Sequence, residues 1–362
     1  MKKLLVVLVM FLFVTGCDFK DKELNKENNN ANVLEKEVVE IEQRSVVLRF
    51  GGDVMMTSYF KNYIDSNGVD YMWEDVSDLI KTADYSVFNL ETSVSLRGSD
   101  TKPKGYGFRS EPFTLEGLKN AGIDMVTIAN NHVMDYGRDA FSDTLNSLDE
   151  YEIEYIGAGK NKSEASKINY QEVNGIKVGF LGASEILGYN SNKATDEKSG
   201  VFYLNRNDLS DIKSIISAAQ SNCDVIVLVL HWDREYYDSP KEETIKMAHE
   251  LIDSGADIII GHHPHVLQGI EYYNDGIIYY STGNFNFLIK NENASRSALF
   301  EVVFNKKDIL SSKVYPIKIN ACKANLLDKG SDTYNTIIND LNERSENFGT
   351  EIDNEGNVLK KI

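Results

Sequence analysis

From residue 46 onward, short apolar runs alternate with polar turns and with segments whose apolar residues recur every three or four positions. The runs predict strands at Val46–Phe50, Tyr85–Asn89, Met125–Ala129, Val178–Gly182, Val225–His231 and Asp257–Gly261. The wider spacing predicts helices at Trp73–Thr82, Thr114–Ala121, Ala140–Glu150, Leu209–Gln220 and Lys241–Ser254. Strand alternating with helix gives an α/β fold with helices on both faces of a largely parallel sheet. Two segments break the rhythm. Asn174-Gly175 lies between Lys167–Val173 and Ile176–Leu181, and Asn274-Asp275 between Val266–Tyr273 and Gly276–Ser281; both read as hairpin turns. Antiparallel strands therefore join the parallel ones, in a mixed sheet or two stacked sheets. Beyond about Asn305 the pattern weakens to a strand pair and a polar helix near Asp332–Asn347, so residues 306–362 read as a C-terminal extension.

The beginning of the chain follows another pattern. Residues 1–17, MKKLLVVLVMFLFVTGC, set two lysines before an apolar run and small residues before Cys17, which is the form of a secretory signal peptide. Val14-Thr15-Gly16-Cys17 resembles the bacterial lipobox, whose cysteine becomes the lipidated first residue of the mature chain. That implies a lipid anchor at the outer face of the bacterial cell membrane, where each buried CH₂ contributes roughly 0.8 kcal/mol. Residues 18–45, rich in asparagine and in charges of both signs, bury too little apolar area to fold and read as a disordered tether. Residues 46–305 are then the folded domain.

Thirty-eight Lys and Arg against 56 Asp and Glu leave a net charge of −18, nearly all of it beyond residue 45. This excludes nucleic acid as the expected partner, because a binder of phosphate backbones needs a basic stripe. Three cysteines are too few for a disulfide framework; with Cys17 assigned elsewhere, at most one bridge, Cys223 to Cys322, can form.

Polar residues gather at the C-terminal ends of the expected strands. The first ends in Gly51-Gly52-Asp53, the second in Asn89-Leu90-Glu91-Thr92, the third in Ala129-Asn130-Asn131-His132 with Asp135 close behind. Later strands end in His231-Trp232 and in Gly261-His262-His263-Pro264-His265. Of six histidines only His249 lies elsewhere. Ligands of open α/β folds bind beyond the carboxyl ends of strands, so these side chains are expected to meet. Carboxylates, an amide oxygen and imidazoles suit a divalent transition metal, Mn, Zn or Fe, better than calcium. A carboxylate able to bridge, with several histidines, points to two ions about 3.5–4 Å apart and to hydrolysis or transfer at phosphorus, with acyl hydrolysis second. Lys102, Lys104 and Arg109 lie in a polar loop and are candidate anion-binding cations; Trp232 and Asn284 join Lys104 and Arg109 as candidate substrate-binding residues.

The order Gly-Asp, Asn-Leu-Glu, Ala-Asn-Asn-His-X-X-Asp-Tyr-Gly, His-Trp, Gly-X-His-Pro-His-Val and Gly-Asn-Phe resembles the CapA family of poly-γ-glutamate capsule synthesis proteins, a branch of the calcineurin-like metallophosphoesterases, over Val46 to Phe287. The resemblance implies a four-layer sandwich of two mixed β-sheets flanked by α-helices. It implies that Asp53 binds a first metal, Glu91 bridges, Asn131, His231 and His263 hold a second, and His265 returns to the first. His132 is the implied general acid, with Asp135 as its partner. Three departures stand out. Asp53-Val54-Met55 replaces the superfamily's Asp-X-His, Glu91 stands for a bridging aspartate, and Asp233 follows His-Trp where glycine is usual. The implied partner is an anionic polymer or phosphoester, handled within a membrane polymer-synthesis complex or by a stand-alone surface metallohydrolase.

Overall fold

The computed structural model describes residues 44–102 and 106–361. The signal segment with Cys17, the tether as far as residue 43, and Lys104 lie outside them. Ser45 onward forms one compact unit.

In chain order the strands of the two main sheets are Val46–Val54 (β1), Tyr85–Leu90 (β2), Met125–Thr127 (β3), Glu154–Ile156 (β4), Asn169–Val173 (β5), Ile176–Ser184 (β6), Val225–His231 (β7), Ile258–His262 (β8), Ile270–Tyr273 (β9), Gly276–Tyr279 (β10), Asn284–Asn286 (β11), Arg296–Phe304 (β12), Ile309–Asn320 (β13) and Lys323–Leu326 (β14). They build an eight-stranded sheet of order β14-β13-β12-β1-β2-β3-β4, with β11 also on β1, and a six-stranded sheet of order β9-β10-β8-β7-β6-β5. β1 to β4 pair in parallel and β12 to β14 antiparallel; β6, β7, β8 and β10 are parallel, with β5 and β9 antiparallel at the edges. Both sheets are thus mixed, and both hairpins form where the sequence places them. At the first, Asn174 (φ 54°) and Gly175 (φ 77°) both take positive φ, the geometry that an Asn-Gly turn accommodates.

Period-two alternation sorts the side chains into layers. Val225, Val227 and Val229 of β7 join Leu48 and Phe50 of β1 in the core between the sheets. Ile226, Leu228 and Leu230 face the other way, against Ile212 and Ile216 of helix Ser210–Ala219 and Met247 and Leu251 of helix Glu242–Asp253. On the eight-stranded sheet Phe88, Leu90 and Val126 pack against Leu118 and Phe141 of helices Leu115–Ala121 and Gly137–Glu150. Helix, sheet, sheet, helix is the four-layer sandwich expected.

Gly51 and Gly52 precede Asp53 because two elements pass there: a Cβ on Gly52 would stand 2.1 Å from the Gly283 carbonyl oxygen. Residues 306–361 are structurally continuous with what precedes them. β13 pairs along the whole of β12, and the helix Asp332–Ser345 adds Ile337, Ile338 and Leu341 to the core between the sheets. Cys223 and Cys322 are unbridged. Among the described residues no helix is long and apolar enough to cross a membrane.

Candidate metal centre

The parallel strands of both sheets end at one edge, where Asp53 is in register with Asn89 and Asn284, and His231 with His262. Asn89, fully buried, donates through Nδ2 to Asp53 Oδ1 (2.8 Å) and Glu91 Oε2 (3.1 Å). His262 Nδ1 also meets Asp53 Oδ1, at 3.0 Å. One oxygen of each carboxylate is therefore tied down. Of the others, Asp53 Oδ2 lies 3.1 Å from His265 Nδ1, while Glu91 Oε1 is buried without a hydrogen-bond partner, as is His263 Nδ1. Around Glu91 Oε1 stand His231 Nε2 (3.8 Å), His265 Nε2 (3.9 Å) and His132 Nε2 (3.9 Å). These spacings are too long for hydrogen bonds and exceed by roughly 0.5 Å the edge, about 3.4 Å, of a tetrahedron with bonds of about 2.1 Å. Buried orphan acceptors cost about 1–3 kcal/mol each, more when charged, so the arrangement fits a cation shared among them.

The donors fall into groups close enough to share an ion: Glu91, His231 and His263; Asp53, Glu91 and His265; and Glu235, His263 and His265. Asn131 Oδ1 lies 2.8 Å from His231 Nε2, so all six expected ligands, Asp53, Glu91, Asn131, His231, His263 and His265, meet at this edge. Electrostatics suits the role. Burial, then the neighbouring imidazoles, pushes His263 down to about 3 and His231 well below the usual range, which keeps both neutral as ligands must be. Burial raises Asp53, but hydrogen bonds and charge from His262 and His265 outweigh it and hold it well below the ordinary carboxylate value. Glu91 is raised well above its ordinary value, by burial and then by the charge of Asp53, so a nearby cation is what would keep it ionised.

His132 is held by Asp135, whose Oδ2 lies 2.6 Å from Nδ1 and also accepts from Phe108 N–H. The Phe108 ring covers the imidazole at 4.3 Å. Burial lowers the His132 pKa, although the hydrogen bond and charge of Asp135 act to raise it. Above the centre opens a cleft of about 400 Å³ whose lining includes Lys102, Tyr106, Tyr189, Glu235, Tyr236 and Lys290. Lys102 Nζ stands 3.5 Å from Asp135 Oδ1.

Three expected substrate contacts fall elsewhere. Trp232 is fully buried in the outer core and its Nε1 donates to Tyr280 O at 2.9 Å. Arg109 lies over the Tyr136 ring at 4.4 Å and lines a separate small pocket with Lys61 and Glu111. Asn284 orients a histidine: its Nδ2 donates to the His265 and Ala294 carbonyls, so its Oδ1, 2.9 Å from His265 Nδ1, accepts that ring's proton and leaves Nε2 with the lone pair. Asn89, His262, Asn284 as a ring holder, and Glu235 are what sequence reasoning missed. The first two were visible only as extra polar residues beside expected ligands.

Asp233 explains its own oddity. Its φ is 70°, in the left-handed region that glycine enters freely, and its Oδ2 repays the strain by accepting from Lys241 N–H at 2.8 Å at the start of helix Glu242–Asp253. Asp233→Ala keeps the strain and loses the bond, and is expected to destabilise by about 1–3 kcal/mol in denaturant titration. Asp233→Gly should recover about 1 kcal/mol of that. A glycine variant less stable than the alanine one would contradict this account.

Two mixed sheets under helices, with carboxylate, amide and imidazole donors drawn from strand ends of both, define a four-layer α/β sandwich with a candidate metal centre at one edge. The chain belongs to the bacterial capsule synthesis protein family, whose model matches residues 47–288. It is 35% identical over 250 residues to the capsule biosynthesis protein CapA of Bacillus anthracis, a match spanning 68% of this chain and 61% of that one, which is less than two thirds of the relative's length. It is 32% identical over 306 residues to the PGA biosynthesis protein CapA of Bacillus subtilis, spanning 84% of this chain and 79% of that one. Its backbone is similar to that of the Haemophilus influenzae NAD nucleotidase at a TM-score of 0.45 and 13% identity, covering 83% of this chain and 63% of that one.

Proposed function

We propose that this protein works in poly-γ-glutamate capsule synthesis or export, lipid-anchored at the outer face of the membrane, with a metal-dependent hydrolytic site acting on an anionic phosphoester. The observation that carries the metal site is the orphaned buried oxygen Glu91 Oε1, beside Asp53 Oδ2 and among imidazoles held neutral. The polymer context comes from the family and from relatives named for capsule and PGA biosynthesis.

Asp53, Glu91 and His265 would hold one divalent ion, and Glu91, Asn131, His231 and His263 another; such ions polarise an oxyanion and acidify water. The chain's own groups do the rest. Asp135 accepts the Nδ1 proton of His132, so the second proton, which Nε2 carries when the ring is charged, would be the one passed to a leaving group. Phe108 keeps water off that ring. Lys102 and Lys290 give the cleft a local positive lining in an otherwise acidic domain, which favours an anionic substrate.

The test is metal analysis of the chain purified without chelators, followed by a phosphoester and amide hydrolysis screen before and after chelation. Bound transition metal and chelator-sensitive phosphoester hydrolysis are expected. Metal without turnover on any phosphoester would exclude the enzymatic part, and turnover of amides alone would move the reaction to acyl hydrolysis. The anchor is tested separately. Cys17→Ser should leave the chain unlabelled by a fatty-acid analogue and release it from membranes; a wild-type chain whose Cys17 takes no label would sink the anchor.

A further inference from the structure

The three donor groups at the cleft share corners. His263 belongs to two, His265 to two and Glu91 to two. Two groups are buried throughout, while the third, Glu235 with His263 and His265, carries an exposed carboxylate at the lining of the cleft. The backbone next to Glu235 is held beside that pair. Tyr236 N–H donates to Pro264 O at 2.7 Å and Gln268 Nε2 to Tyr237 O at 2.8 Å, so the loop is tied to the turn that bears both histidines. His263 is 5% exposed, and its Nδ1 has no partner.

We propose that Glu235, His263 and His265 form an outer landing site that takes a divalent cation from solvent and passes it to the buried position at Asp53 and Glu91. The inference rests on the metal-site reading above. Because Asn284 accepts the His265 Nδ1 proton, that ring has one nitrogen to give. An ion at the Glu235 group and an ion at the Asp53–Glu91 group compete for it, which makes the outer position one of transit. Asp53 and Glu91 are fully buried and offer a hydrated ion nothing at the surface to exchange its waters against. A hydrated ion must give up waters to enter, and an exposed carboxylate is an oxygen ligand that can replace the first of them.

The test uses the full-length chain, stripped by chelator and mixed rapidly with Co²⁺, whose visible absorption reports entry among imidazoles and carboxylates. Glu235→Gln should bind as many ions at equilibrium as wild type. Uptake and chelator-driven release should both slow by about tenfold or more, the scale on which a focusing charge changes an association rate. Both rates must fall together, because a transit site changes the path and leaves the end states alone. Glu235→Asp keeps the charge with one methylene less and should also slow uptake, which attraction at a distance would not require. Unchanged rates in Glu235→Gln, or wild-type rates in Glu235→Asp, overturn the landing site. Loss of a bound ion at equilibrium overturns it in favour of a resident ligand. A wild-type chain that takes up no cobalt overturns the metal-site reading itself, and this inference with it.

Discussion

His263→Ala is expected to cost the chain most of its tightly held metal. His263 takes part in two of the three donor groups, and burial holds it neutral with its Nδ1 unpartnered, so it is ready to bind. Losing a residue that only orients a ligand weakens a metal by about 10–100-fold, so losing the ligand itself should exceed about 100-fold. His231→Ala should behave alike, since its group shares Glu91 and His263. The measurement is metal per chain after exhaustive dialysis, with circular dichroism to confirm folding. Stoichiometric metal in the variant carrying both substitutions would falsify the assignment.

For His132→Ala the expected pattern is the reverse: metal content near wild type, and any phosphoester turnover lowered by about 10²–10⁴, the usual contribution of a positioned acid or base. The distance from His132 Nε2 to Glu91 Oε1, 3.9 Å, equals that of His265, so proximity alone does not separate acid from ligand. The hydrogen bond to Asp135 suits either role. The pH profile separates them further. Burial lowers the His132 pKa, so an acid role needs a proton that is present only below the lowered value and lost above it. The alkaline limb of kcat/KM should then lie below the ordinary histidine value of about 6.5 and vanish in His132→Ala. Lost metal in that variant would make His132 a ligand, and full turnover on a substrate with a poor leaving group would end the acid role.

The strand ends were legible because apolar runs mark the strands and each stops at a cluster of polar residues, as in Val225–His231. What sequence adjacency does not carry is direction. Trp232 follows a candidate ligand, yet successive residues of an extended chain face opposite sides, and Trp232 goes into the outer core. Applied to that pair, the alternation rule would have predicted as much. Asn284 sits beside Asp53 across the sheet, a pairing of residues far apart in the chain that no local pattern encodes. Glu235 was invisible for another reason: it reaches His263 and His265 through a loop with left-handed residues at Asp233 and Tyr236, where neither helical nor strand spacing applies. The extension after residue 305 reads as separate because its strands and helix are polar on the outer side, while Ile337, Ile338 and Leu341 supply a narrow stripe to the shared core.

That stripe bears on the loops of the cleft. Arg344, at the end of the same helix, donates to Leu267 O at 2.6 Å and pairs with Asp238 at 3.4 Å, while Ser345 Oγ accepts from Ile270 N–H. One helix end thus grips both the segment after His265 and the loop that carries Glu235. The family match stops at residue 288, well before this brace. A change confined to this brace can therefore keep every donor residue and still hold the mouth of the cleft at another width. What the cleft admits would then shift with the donor set left untouched.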